Sequence, residues 1–174
     1  NVLNALSCIA LCDAYGISIE CMKSAFEKFT GADRRFQFKG ILNGAKIYDD
    51  YGHHPTEVAA TATALNNKKF NKSWVVFQPH TYSRTFNHLD DFANALLAFD
   101  NIIVTDIYAA REVNTYNISS EDLVNAIIKL GKDAKYIPSL EDCASYLKQN
   151  VQNDDIVLTL GAGTVTNIGP MIIN

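Results

Sequence analysis

Apolar residues recur at Val2, Leu3, Leu6, Ile9 and Ala10, the three-and-four spacing of one helical face, and the stretch closes at Gly16. A second helix is predicted from about Ser18 to Phe29. Gly31 breaks the pattern, and RRFQFKGIL and AKIYDDY follow, two aromatic and β-branched segments separated by Asn43-Gly44, which predicts a hairpin. From there helical and extended stretches alternate. The pattern predicts a helix over 55–65, strand SWVVFQP, a helix over 84–99, strand NIIVTDIY and a helix over 119–130. Strand AKYIP, a helix over 140–151, strand DIVLTLG and a short final helix after Gly163 complete the series. Runs such as WVVF, IIVT and IVLTL are apolar throughout, as strands buried on both faces must be. The expected fold class is therefore α/β: a doubly wound, mostly parallel, Rossmann-like sheet with helices on both faces, preceded by a two-helix segment. The step from helices to strands places a boundary between 1–32 and 33–174.

Composition narrows the function without choosing one. The 174 residues are 48% hydrophobic and 20% charged, enough to bury a substantial core. A formal net charge of -4 supplies no excess of Lys and Arg to displace phosphate counterions, so nucleic acid is not an expected partner. No apolar run reaches the roughly 18 residues that span a bilayer, and no export leader is visible, so no membrane partner is expected either. Cys8, Cys12, Cys21 and Cys143 lack CxxC pairs and are expected to be reduced packing residues, pointing to a cytoplasmic location. A start at Asn1, directly inside a helical pattern, reads as a piece of something longer.

In doubly wound sheets ligands collect beyond the carboxyl ends of the strands, and four polar segments are expected there: DDYGHHPT, QPHTYSRT, DIYAARE and GAGTVT. The first sets two acids, a phenol and two imidazoles ahead of a helix whose first turn suits Pro55. Its bland reading is an Asp cap with histidines bonded to backbone. Adjacent His53 and His54 lack the spacing of metal ligands on one helical face, so no metal site is expected. Arg84 falls in the first turn of a helix, where the dipole disfavours a cation, and a planar guanidinium there suits a carboxylate. Pairing with Asp90, Asp91 or Glu112 is the structural alternative. Arg34-Arg35 stands at the boundary, where an Arg can reach a phosphate held elsewhere, or where the pair is an exposed charge beside Asp33. Gly161-Ala162-Gly163 falls short of a dinucleotide motif, since the sixth position is Thr166, and close backbone packing explains it better. Arg111-Glu112 reads as structural.

The ordered set NVLNA, RRFQFKG, DDYGHHPTE, FQPHTYSRT, DIYAARE and LGAGT resembles the Mur ligase family over essentially the whole chain, with DDYGHHPTE and QPHTYSRT the specific segments. The resemblance implies the helical end of a central ATP-binding domain over 1–32 and the amino-acid-binding domain over 33–174. It implies an enzyme that uses ATP and Mg2+ to activate the carboxylate of UDP-N-acetylmuramate as an acyl phosphate, which the amine of L-alanine attacks in peptidoglycan synthesis. By similarity, Asn1 and Asn4 contact adenine, Arg35 reaches the ATP phosphates, and Asp50 lies near the ribose. Tyr51, His53, His80, Thr81 and Arg84 line the amino-acid pocket, with Arg84 on the alanine carboxylate and Arg35 and His53 closest to the chemistry. Some relatives carry a second Arg where Thr81 stands, which would give the carboxylate two cations.

The chain holds no GxxxxGK[ST] motif, so by itself it is expected to be catalytically silent, with the P-loop and magnesium ligands supplied by the remaining domains. Three alternatives stay open. A murein tripeptide recycling ligase shares the fold and much of the motif set, although Tyr51-Gly52 favours the alanine enzyme. A non-catalytic nucleotide-binding module and a dehydrogenase are the others, the last weakened by the incomplete glycine motif. Oligomeric state is not encoded in any of these features.

Overall fold

The computed structural model describes residues 2–29, 31–65 and 68–173. The chain divides into two compact units, Asn1–Ala32 and Asp33–Asn174. The first contains helices α1 (Val2–Ala14) and α2 (Ile19–Lys28). Gly16, at φ 70°, ends α1 in the left-handed conformation that glycine adopts freely, and the amide of Ile17 returns to the Cys12 carbonyl at 3.0 Å. Ser18 caps α2 by accepting the amide of Cys21.

The second unit is a six-stranded sheet in the order β1-β2-β6-β3-β4-β5. Its strands are β1 (Gln37–Leu42), β2 (Ala45–Asp50), β3 (Ser73–Phe77), β4 (Asn101–Val104), β5 (Ala134–Tyr136) and β6 (Ile156–Leu160). β1 and β2 form the antiparallel hairpin, with Asn43 and Gly44 both at positive φ, as a tight two-residue connection needs. Every other pairing is parallel. Side chains alternate through the sheet, so the inner strands β2, β6, β3 and β4 feed two cores. Val75 and Phe77 join Val58, Phe92, Leu96 and Leu123 on one face, and Trp74 and Val76 join Leu147, Ile168 and Ile172 on the other.

Helices α3 (Pro55–Leu65), α5 (Leu89–Leu96) and α6 (Ser120–Lys129) cover the first face, while α7 (Leu140–Asn150) and α8 (Ile168–Ile172) cover the second. The single helix expected over 84–99 is instead two, α4 (Tyr82–Asn87) and α5, broken at His88, whose φ and ψ of -125° and 26° are not helical. The break separates two tasks. α5 buries Phe92, Ala93 and Leu96 in the core, whereas α4 buries only Thr85 and carries polar residues along the sheet edge.

The strand expected to run through Tyr108 stops at Val104, and the final helix begins as a 3-10 turn over Thr164–Asn167. All four cysteines are free thiols, but only Cys143 is packed in the core, and burial pushes its thiol up to about 12. Among the described residues no helix is long and apolar enough to cross a membrane.

Candidate active site

Parallel register brings Asp50, Leu160 and Phe77, the last residues of β2, β6 and β3, side by side. The segments that leave these three ends are the ones singled out by their polarity, and the sheet gathers them at one edge. Asp50 closes the first of them. Its carboxylate accepts the amide of Gly52 at 2.8 Å through Oδ1 and the amide of Phe36 at 2.8 Å through Oδ2. A buried carboxylate so engaged shapes the chain around it, and any ribose contact would fall to its remaining lone pairs.

The cap of α3 comes from Glu57 rather than from an aspartate. Its Oε2 accepts the amides of His53 and His54 at 2.9 and 3.1 Å. Burial pushes this carboxyl upward, yet the His53 amide and ring, the His54 amide and the charge of Arg35 together outweigh it and hold it below its usual value.

Two histidines meet beyond the strand ends, and their Nδ1 atoms play opposite roles. His53 Nδ1 lies 3.0 Å from the Tyr51 carbonyl, which only accepts, so Nδ1 carries a proton and Nε2 is the lone-pair nitrogen of the neutral ring. His80 Nδ1 lies 3.0 Å from the Arg84 guanidinium, which only donates, so here Nδ1 is the acceptor and Nε2–H the donor. The rings stand edge-on at 5.6 Å, and Tyr51 meets His53 edge-on at 5.3 Å. Burial first, then Arg84 and His53, lower the proton affinity of His80. It is therefore a neutral ring beside a cation.

Arg84 also donates to the His80 carbonyl at 2.8 Å. Among the described residues Arg34 pairs with Asp49, and the imidazoles of His53 and His88 lie 3.5 and 3.2 Å from the carboxylates of Glu57 and Asp91. None of Asp90, Asp91 and Glu112 neutralises Arg84, so the structural alternative for this residue is not realised. What remains is a half-buried guanidinium held by the neutral acceptors of His80.

Thr81 is buried, and its hydroxyl lies 3.2 Å from that of Ser83. The His80–Thr81 peptide bond is cis. Arg35 is exposed at the start of the second unit, and Asn4 is exposed on α1 in the first. Asn1 lies outside the described residues. No group of three or more His, Cys, Asp or Glu side chains among the described residues is placed to hold a metal ion.

Three residues of the site make contacts that a reading of the chain does not foresee. Tyr108 stacks on His80 at 5.6 Å and 17°, and its amide donates to the Pro79 carbonyl at 2.8 Å. Glu112 reaches across from the same loop to accept the Ser83 amide at 2.9 Å and the Ser83 hydroxyl at 2.5 Å, capping α4 from outside. Those bonds, the hydroxyl first, hold the Glu112 carboxyl below the usual carboxylate range. Arg34, left open between a phosphate contact and an exposed charge, is tied to buried Asp49 at 2.9 Å. An aromatic and an acid in DIYAARE were the available signal for the first two. Nothing local marked the third, because its partner lies 15 residues away.

The glycine segment is the compressed turn its spacing suggested: a Cβ on Gly161 would sit 2.6 Å from the Gln78 carbonyl oxygen. Gln78 in turn accepts the Val165 amide at 2.9 Å, pinning the segment to β3.

Comparison with known proteins places these features in context. The family model described as "Mur ligase, glutamate ligase domain" matches residues 34–163. The UDP-N-acetylmuramate--L-alanine ligase of Agathobacter rectalis is 48% identical over 169 residues, 97% of this chain and 37% of that protein. This chain thus spans little more than a third of the length of that relative. The crystal structure of the UDP-N-acetylmuramate-alanine ligase of Thermotoga maritima superposes with a TM-score of 0.77 at 28% identity, covering 99% of this chain and 36% of that one. A murein peptide ligase from Psychrobacter arcticus has the same fold, with a TM-score of 0.71 at 22% identity over 98% of this chain and 35% of that one.

Proposed function

Because this chain belongs to the Mur ligase family, we propose that it is the amino-acid-binding part of an ATP-dependent ligase joining L-alanine to UDP-N-acetylmuramate. The observation that carries the reading is Arg84, a guanidinium with no carboxylate partner among the described residues, set beside two histidines of complementary tautomer. An amino acid offers a carboxylate to the first and an ammonium that must lose a proton before it can attack. Identity of 48% to an L-alanine ligase supports the choice of amine.

In this reading the carboxylate of alanine binds Arg84 through a charge-assisted fork. His80 Nε2–H donates beside it, and His53 Nε2 takes the proton released by the amine. The amine nitrogen then bonds to the activated muramate carbonyl, and the carbon–oxygen bond to phosphate breaks, giving an amide and inorganic phosphate. ATP supplies that phosphate, and exposed Arg35 meets the negative charge of the phosphates. Asn1 and Asn4 belong to the adenine side of the same reading, with Asp50 near the ribose. In the same reading Mg2+ is held mainly by residues of the remaining domains. The division of labour gains most of its rate from orientation of two bound reactants. The reading places the protein in the cytoplasm.

Phosphate release by the full-length protein tests the proposal, with ATP, Mg2+ and UDP-N-acetylmuramate present and either L-alanine or L-alanyl-γ-D-glutamyl-diaminopimelate as the amine. Turnover with alanine is expected. Turnover only with the tripeptide would move the protein to the recycling branch, and none with either amine would leave a non-catalytic module.

A further inference from the structure

We propose that Arg34 is a positioning residue which, through Asp49 and the Gly161–Gly163 turn, holds Arg35 and Tyr51 in place for the ligase reaction proposed above, on which this inference rests.

Asp49 is fully buried in β2, and its two oxygens are divided between two partners. Oδ1 accepts the Thr159 hydroxyl at 2.6 Å, and Oδ2 accepts Arg34 Nε at 2.9 Å. Arg34 is its ion-pair partner among the described residues. The same guanidinium donates to the Gly161 carbonyl at 2.5 Å and to the Gly163 carbonyl at 3.4 Å, and its face covers the Tyr51 ring at 4.8 Å. One side chain thereby ties the start of the α/β unit to the ends of β2 and β6. A lysine could answer Asp49 but could not reproduce the fork to both carbonyls.

The backbone repeats the arrangement. Arg34 and Phe36 sit at φ 56° and 48°, left-handed conformations that L residues adopt reluctantly, and Arg35 lies between them. Each flank is fastened: the Arg34 carbonyl accepts the Tyr51 amide at 2.7 Å, and the Phe36 amide donates to Asp50 Oδ2 at 2.8 Å. Phe36 also packs on Tyr48 at 4.7 Å. Arg35 is therefore the exposed residue between two anchored neighbours, and its direction depends on the Arg34 tie. Tyr51, in the amino-acid pocket, is gripped by the same residue through its amide and its ring. The arrangement couples the residue assigned to phosphate with the wall of the alanine site.

A role confined to stability would lower the melting temperature alone. The test compares Arg34→Gln/Asp49→Asn with the full-length parent, since the double change removes the buried charge together with its partner. Its expected melting temperature lies within a few degrees of the parent, with kcat reduced about tenfold or more and the KM for L-alanine raised several-fold. The KM for UDP-N-acetylmuramate should change less than about twofold. Added to Arg35→Ala, the pair should lower kcat by less than about a further twofold, because Arg35 is then no longer there to be positioned.

Arg34→Lys serves if the double variant fails to fold: it keeps a cation for Asp49, loses the fork, and should still lower kcat about fivefold. Full kcat in either folded variant, or a loss that multiplies with Arg35→Ala, overturns the proposal. The parent's turnover with L-alanine decides the function separately, and the ratio of variant to parent, with whichever amine the parent uses, decides Arg34. A parent inactive with both amines removes both.

Discussion

The Arg84 guanidinium donates to Nδ1 of His80 at 3.0 Å, and this contact settles the charge of both groups. A protonated Nδ1 could not accept it, so the imidazole stays neutral beside a charged arginine. Because the contact spans four residues, the cation and the neutral ring beside it are presented by one turn of chain.

Replacing Arg84 with Ala should raise the KM for L-alanine by roughly ten- to a hundredfold, the worth of a charge-assisted hydrogen bond, with little change in the KM for ATP. Initial-rate kinetics of the full-length protein check this. Equal effects on both substrates would remove Arg84 from the carboxylate site.

Acid should reveal His80 through stability. Its proton affinity is lowered in the folded state, by burial and then by Arg84 and His53, so below the ordinary value of about 6.5 the unfolded chain takes up a proton that the folded one resists. The linked stability is intact above that value and declines as the pH falls from it toward the lowered folded value. His80→Asn should therefore lose less melting temperature than the parent between about pH 7.5 and 5.5. Parallel losses in the two proteins would contradict the assignment.

Glu112→Gln keeps the shape of the outside cap on α4 but weakens two charge-assisted bonds to Ser83. Since Arg84 follows Ser83 directly, the expected result is a raised KM for L-alanine with an unchanged KM for ATP. A variant with parental kinetics for both would show that α4 holds its position without the charge.

Gly161→Ala should cost about 1–3 kcal/mol in strain alone, because φ is 146° and the new Cβ would press on the Gln78 carbonyl at 2.6 Å. Thermal or urea unfolding measures the loss. A change of less than about 0.5 kcal/mol, the scale of an inconsequential surface substitution, would mean that the turn yields easily.

Much of the fold could be read from local pattern. The hairpin followed from Asn43-Gly44, and the buried parallel strands from runs such as Trp74–Phe77 that are apolar on both sides of the pleat. The position of α3 followed from Pro55. His53, His80 and Arg84 were legible as candidates because dense polar residues at strand ends have few other uses. The split of α4 from α5 was not legible, since the residues around His88 suit a helix and the break serves packing against distant segments.

What the sequence determined by itself was the alternation of elements, the depth at which each strand lies and the residue types gathered at one edge, because these depend on neighbours three or four positions away at most. The tertiary structure decided which elements became neighbours. It inserted β6 between β2 and β3, paired Arg34 with Asp49, brought Glu112 to Ser83 and pressed Gly161 on Gln78. Those partners lie 15 residues apart or more, and a hydrophobic period reports only that a side chain is buried, never which side chain it will meet.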